Sequence, residues 1–385
     1  MSTVVEIYAN GINDVVCTNG INNIDDTNGA SDVNGIDKVP HVNGFNGVGE
    51  LNGANGIHRS TSHWRPTRDE VIKGMEREKE AALTRPLWEN FRGFRLDPPA
   101  TISAPPVWVK FADSPESLLG EMNTQRHVHA ELMDADEDTR ARFHVPEPYD
   151  FFEADIDGWP HGMLVMEYLP GTSIRELIMP LRWSGVEAAD DRITSLKDRV
   201  IDAVCFLLSV RAPPDTITAP GPVGGGHILN RVFGMDDPLA PQEFDSLEEL
   251  QTYINEGNEK EDPDLPPADF LSEGLRLCCC DLGLHNFILE DVDNPSSTRL
   301  IIIDFELTNF LPYSFLVWGT WSSRDPYLSE QVRIRGKLVV NEDNMAALNK
   351  LHSRREREDR EFWARVSRAV DEAPSPREET EVGTH

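Results

Sequence analysis

The chain has 385 residues, a formal net charge of −31 and 39% hydrophobic residues. That length and apolar content support either two ordinary domains or one larger bilobal one with a sizeable core. So acidic a chain is a poor match for nucleic acid or an anionic membrane surface, and no apolar run approaches the ~18 residues of a membrane span, so a cationic or neutral small molecule is the partner it accommodates most easily.

The N-terminal stretch, residues 1–57, carries eight Asn-Gly dipeptides spaced by multiples of three. Asn-Gly favours turns, but the residues between lack the alternating β-branched runs of flanking strands, so a disordered tail is expected: an interaction tail or a tolerated low-complexity expansion. "MSTVVEIYANGIND" has neither a basic start nor a long apolar run, and the five cysteines show no disulfide-like spacing. Both point to a reducing, cytoplasmic setting without secretion.

A helix is expected from Thr67, with Asp69 and Glu70 in its first turn, to just before Pro86. "PVWVKF" alternates valine with bulky residues and predicts a strand at Val107–Phe111. An amphipathic helix follows over Ser117–Met133, with Leu118, Met122, Val128 and Leu132 near helical spacing. "MLVMEYLPG" (163–171) reads as a second strand, broken by Pro170-Gly171, and residues 172–210 as helical, with "VIDAVCFLLSV" buried. "PGPVGGGHILN" (220–230) places Gly224, Gly225 and Gly226 in a row. A phosphate cradle would need a strand before it, which Pro220 and Pro222 disfavour, so a surface loop is expected that could at most shape an acceptor site. Between Asp236 and Glu273 stand thirteen acidic residues against Lys260 alone. They form a solvated acidic face or, in a sharper reading, an electrostatic funnel for a cationic acceptor such as an amino sugar or amine. Short strands are expected at 275–280 and 299–303, and a charged helix over "LHSRREREDREFWARVSRAV", with Glu356 and Arg360 as an i,i+4 pair.

"LRLCCCDLGLHNFILED" (275–291) sets three cysteines before an aspartate. Zinc ligands usually come in separated pairs, and alternation along a strand would send Cys278 and Cys280 to one face and Cys279 to the other, so the cysteines read as small buried hydrophobes. His127, His129 and His285 likewise lack ligand-like grouping. The chemistry lies in the polar residues: Asp281-x-x-x-x-Asn286, the strand "FIL", a polar turn, and "RLIIIDFE" containing Asp304. A carboxylate, an amide five residues on and a second carboxylate after a hairpin suit phosphoryl transfer from ATP. Asp281 would take the proton of a substrate hydroxyl, and Asn286 and Asp304 would supply oxygens to Mg²⁺.

On these motifs the sequence resembles the aminoglycoside phosphotransferase and choline kinase family over about residues 107–320, and most of all a fungal-type group within it. That family's catalytic loop usually reads H-x-D-x-x-x-x-N and its metal segment D-[WF]-E; "CCDLGLHN" and "IIIDFE", with Glu306, match these except that Cys279 stands where histidine is usual. The resemblance implies an α+β bilobal protein-kinase-like fold, with a small β-rich N-lobe (61–168) and a larger mainly helical C-lobe (169–372); after Ala373 the chain turns polar and acidic, and a disordered tail (373–385) is expected. It implies Lys110 of "VWVKF" as the lysine on the nucleotide's phosphates, Glu121 as its acidic partner, and the Glu167 carbonyl and Leu169 N–H of "MLVMEYLPG" as adenine contacts. ATP and Mg²⁺ would serve phosphorylation of a small-molecule hydroxyl. Only Gly93 precedes Lys110 where a G-x-G-x-x-G loop would cover the phosphates. With Cys279, this supports the alternative, an inactive pseudokinase acting as a nucleotide- or protein-binding module. The sequence fixes neither the acceptor nor the oligomeric state.

Overall fold

The computed structural model describes residues 64–82, 92–183, 188–213, 219–235, 237–294, 298–322 and 325–372. The tails read above as disordered, 1–57 and 373–385, lie outside the described residues.

Helix α1 (Arg68–Ala82) opens on a capping box: Thr67 Oγ1 accepts from Glu70 N (3.3 Å) and Glu70 Oε2 accepts from Thr67 N (2.7 Å). Four antiparallel strands follow, in spatial order β1 (Gly93–Leu96), β2 (Val107–Ala112), β5 (Trp159–Glu167) and β4 (Pro148–Ile156). Strand β5 starts earlier than its apolar run suggests and ends at Glu167. Its hairpin with β4 closes through Asp157 and Gly158, both at positive φ (55° and 84°), a tight two-residue turn that Asp-Gly favours.

Both faces of this sheet are covered, which explains the unbroken apolar run "MLVM". Val107, Val109, Met163 and Val165 pack with Val71 and Met75 of α1. The alternate residues Leu164 and Met166 pack with Leu118 and Met122 of α2 (Pro115–Asp134), which is N-capped by Ser114. The two-residue period of β2 therefore turns Lys110 toward α2. The far half of α2, with Val128 and Leu132, enters a second and larger core.

That core belongs to the helical part of the chain. After α3 (Glu137–Arg142) and β3 (Phe143–His144), and beyond the sheet, the stretch expected to be helical divides into β6 (Thr172–Ser173), α4 (Ile174–Trp183) and α5 (Ala188–Ser209), the last with Val200, Ile201, Val204 and Leu207 buried. Helix α6 (Leu247–Glu261) precedes β7 (Arg276–Cys279), β8 (Phe287–Leu289), β9 (Leu300–Ile302) and β10 (Thr308–Leu311), and α7 (Tyr313–Ser322), α8 (Pro326–Arg335) and α9 (Glu342–Glu372) complete the order. The expected strands at 275–280 and 299–303 thus contract by a residue at each end. Strand β7 pairs antiparallel with β10, and β3, β9, β8 and β6 form a separate small sheet. The architecture is α+β and bilobal, a sheet-rich part followed by a larger, mainly helical one. Among the described residues no helix is long and apolar enough to cross a membrane.

Candidate functional site

Lys110, Glu121 and Asp304 meet between the two parts. Lys110 Nζ donates to both Glu121 oxygens (2.8 and 2.7 Å) and to Asp304 Oδ1 (2.7 Å), and Glu121 Oε1 also accepts from Phe305 N at 3.2 Å. Strand β2 presents the lysine, the first half of α2 presents the glutamate, and Asp304 follows β9 in a left-handed backbone conformation (φ 63°) that an aspartate tolerates better than most residues. Burial alone would push the Lys110 ammonium down; the two carboxylates outweigh it and raise it. Burial pushes Glu121 up to about 7, while Asp304 is held below the usual carboxylate range because Lys110 outweighs its burial. One cation shared by two carboxylates leaves the deeper one with the weaker claim to charge.

Asp281 and Asn286 lie on the loop after β7. Asp281 Oδ1 accepts from Gly283 N (3.0 Å), and Asn286 Nδ2 donates to the Asp281 carbonyl at 3.4 Å. Asn286 also joins the loop to the second carboxylate's strand, since its own carbonyl accepts from Ile303 N (3.0 Å), one residue before Asp304. The structure therefore ties Asn286 to both loops and makes Lys110, Glu121 and Asp304 one cluster.

The three cysteines are buried, and burial pushes the Cys279 thiol up to about 12. They pack as small apolar side chains; among the described residues no group of three or more His, Cys, Asp or Glu is placed to hold a metal ion. Cys279 Sγ nonetheless lies 3.7 Å from the Asp281 carbonyl, a weak hydrogen bond that braces the loop from below.

Glu167 lies away from this cluster. The sheet pairs Lys110 with Leu164 but Val107 with Glu167, a separation of three residues or about 10 Å along the strand. The Glu167 carboxylate is itself engaged, accepting from His144 Nε2 (2.8 Å) and Glu147 N (3.3 Å). Arg299 Nη1 faces the other ring nitrogen, His144 Nδ1, at 3.2 Å, so His144 bridges Glu167 and Arg299. Of the histidines read as ordinary, His127 Nε2 lies 2.6 Å from the Arg211 carbonyl and His129 Nδ1 2.9 Å from that of Val145.

Three features were not visible in the sequence. Register pairs Gly93 with Lys110 and Leu96 with Val107, so the proline-rich connection 97–106 leaves from the far end of the sheet, and on β1 it is Gly93, with Arg92 before it, that stands opposite the lysine. Arg92 Nη1 reaches Glu306 Oε2 at 3.5 Å. The glycine-rich loop is no free surface loop: Gly221 bridges to Phe310 of β10, and Val223 N donates to Thr124 Oγ1 of α2 (3.1 Å). Part of the acidic run is used internally, Glu261 and Asp262 against Lys350 of α9 (3.8 and 3.6 Å) and Glu273 accepting from Ser314 N (2.9 Å).

The donor set suits magnesium. Lys110 takes one Asp304 oxygen and leaves the other, and the Asn286 amide is oriented through its nitrogen, which turns its oxygen the opposite way. Two hard oxygen donors without a protein cage are what Mg²⁺ commonly takes when phosphates and water complete its shell.

No protein-family model and no curated protein matches the chain. Among solved structures, an aminoglycoside phosphotransferase from Alicyclobacillus acidocaldarius subsp. acidocaldarius DSM 446 is similar over 73% of this chain and 94% of that one, at 10% identity and a TM-score of 0.27.

Proposed function

We propose that the protein transfers the terminal phosphoryl group of ATP to a hydroxyl of a small molecule, as a cytoplasmic enzyme of the aminoglycoside phosphotransferase-like kind. The observation that carries this reading is the Lys110–Glu121–Asp304 cluster: a part-buried lysine on a strand, in contact with one carboxylate from a helix and one from a loop, beside a loop presenting a third carboxylate. A lysine held this way is a fixed positive charge for nucleotide phosphates. Glu121 orients it, and Asp281 takes the proton of the acceptor hydroxyl as the acceptor oxygen bonds to phosphorus and the bond to the departing ADP oxygen breaks. Asn286 and Asp304 would hold Mg²⁺, which when bound offsets the charge of the phosphates. The end of β5 supports the adenine: the Glu167 carbonyl and Leu169 N–H would meet its edge, about 10 Å from the lysine along the sheet. The acceptor is cationic or neutral, given the net charge of −31 and the acidic residues of the 236–273 run.

A nucleotide- or protein-binding module without turnover is the second reading, favoured by the missing G-x-G-x-x-G before Lys110 and by Cys279. Transfer of labelled phosphate from ATP into a fractionated metabolite extract separates the two. The proposed activity requires Mg²⁺-dependent labelling that Asp281→Asn abolishes; stabilisation by nucleotide with no labelling of any fraction or of water leaves the binding module.

A further inference from the structure

Arg231 belongs to none of the motifs above, yet its guanidinium stands on the proposed catalytic carboxylate: Arg231 Nη2 lies 3.2 Å from Asp281 Oδ2, with the arginine side chain 40% and the aspartate 19% exposed. The segment that delivers it is built with care. Gly224, Gly225 and Gly226 all lie at positive φ (90°, 84° and 114°), which residues with a Cβ adopt poorly, and they turn the chain back from α2. From there it runs along β10, where Asn309 Nδ2 donates to the Leu229 carbonyl (2.9 Å). Asn230, 1% exposed, caps the short 3-10 turn Arg231–Phe233 by accepting from Val232 N at 3.0 Å. Val232 and Phe233 are fully buried, and Arg355 Nε of α9 donates to the Phe233 carbonyl at 2.9 Å. Arg231 is thus an exposed charge on a rigid, buried frame.

Stability does not account for it. The arginine end of the pair is open to solvent, where ion pairs add little to stability, and the fold at this point is already held by Val232, Phe233 and the Asn230 cap. For the chemistry the geometry matters. With Gly283 N on Oδ1 (3.0 Å) and Arg231 on Oδ2 (3.2 Å), the Asp281 carboxylate is gripped at both oxygens, its plane is fixed, and each oxygen retains a lone pair for the acceptor's proton. We propose that Arg231 is a positioning residue for Asp281, and that the glycine-rich segment 219–235 exists to place it. The inference rests on the phosphotransferase reading. It assigns Arg231 no contact with nucleotide, so its loss acts on turnover and leaves ATP binding alone.

The test uses the full chain and ADP release from Mg²⁺–ATP, with a panel of amino sugars and polyols as acceptor probes. Arg231→Ala should lower kcat by about 10–100-fold, the scale of a misplaced catalytic group, while KM for ATP stays within about twofold. Arg231→Lys, which restores charge without the planar fork, should recover part of the loss. In an Asp281→Asn background, Arg231→Ala should have almost no further effect, since a residue acting through Asp281 has nothing left to position. An unchanged kcat in Arg231→Ala, a rise in KM for ATP as the main effect, or losses that multiply in the double variant would each overturn the assignment. Should Arg231→Ala fail to fold, Arg231→Gln serves in its place with the same expectations. Wild-type protein that releases no ADP with any probe defeats the phosphotransferase reading and this inference together; active wild type with an indifferent Arg231→Ala defeats this inference alone.

Discussion

Replacing Glu121 by glutamine keeps the shape of the most deeply buried member of the lysine cluster and removes its charge. Glu121 is 4% exposed, and burial raises its carboxyl from an ordinary 4.5 to about 7. A raised folded-state value means that the native protein holds this proton more tightly than the unfolded chain does. The favourable contribution is therefore complete below about pH 4.5 and is lost as the pH rises to and through about 7. A shift of that size corresponds to about 3 kcal/mol at 1.36 kcal/mol per unit. Asp304 acts in a different window: its value is depressed, so its contribution is present above the ordinary carboxylate range and is lost only as the pH falls below it. Urea unfolding of wild type and Glu121→Gln, followed by tryptophan fluorescence in steps from about pH 4.5 to about pH 7.5, isolates the glutamate, because glutamine does not titrate. The stability of wild type relative to the variant should fall by about 3 kcal/mol across that range. Parallel curves, or a wild type that gains on the variant as the pH rises, would refute the account of one lysine shared unequally by two carboxylates.

Two further predictions concern the scaffold and one the metal. With Cys17 and Cys205 changed to serine, the three remaining thiols should resist a disulfide reagent at about pH 8 until the protein unfolds, since a Cys279 thiol pushed up to about 12 is only ~10⁻⁴ ionised there; fast labelling of native protein would show that the strand is open. Gly171→Ala should cost about 3 kcal/mol, because its Cβ would overlap the Leu289 carbonyl oxygen, fixed by the β6–β8 pairing; an unchanged denaturation midpoint would count against that packing. Asp304→Asn should shrink the thermal stabilisation by Mg²⁺–ATP while leaving the fold intact, and an undiminished shift would remove Asp304 from the proposed metal site.

The elements that carry Lys110 and Glu121 were legible from pattern, a strand of period two and a helix of period 3.6, whereas their pairing was implied by the family resemblance alone, and the structure joins them. The loops that hold Asp281, Asn286 and Asp304 were legible as the ends of short apolar strands. What stayed hidden depends on chain paths between distant segments. Arg231 reaches Asp281 across 50 residues, through a turn that three consecutive glycines make possible, and the glycines alone did not say where the chain would go. Strand β10 is buried on both faces and shows no alternation, and α7, apolar all round, shows no stripe. The acidic run could be counted but not assigned: its pairing with Lys350 becomes visible only once α6 packs on α9. Glu167 was read through its backbone carbonyl, whereas its carboxylate is committed to His144.

The central claim is that Asp281 accepts a proton during phosphoryl transfer from a nucleotide held at Lys110 and Asp304. Its most direct test measures, for wild type and Asp281→Asn side by side, both the thermal shift produced by Mg²⁺–ATP and the transfer of labelled phosphate to acceptors in a metabolite extract. The account predicts equal thermal shifts and a loss of transfer on the order of 10²–10⁴-fold in the variant, because asparagine preserves shape but cannot take the proton. Equal transfer by the two proteins, or none by either, would contradict it.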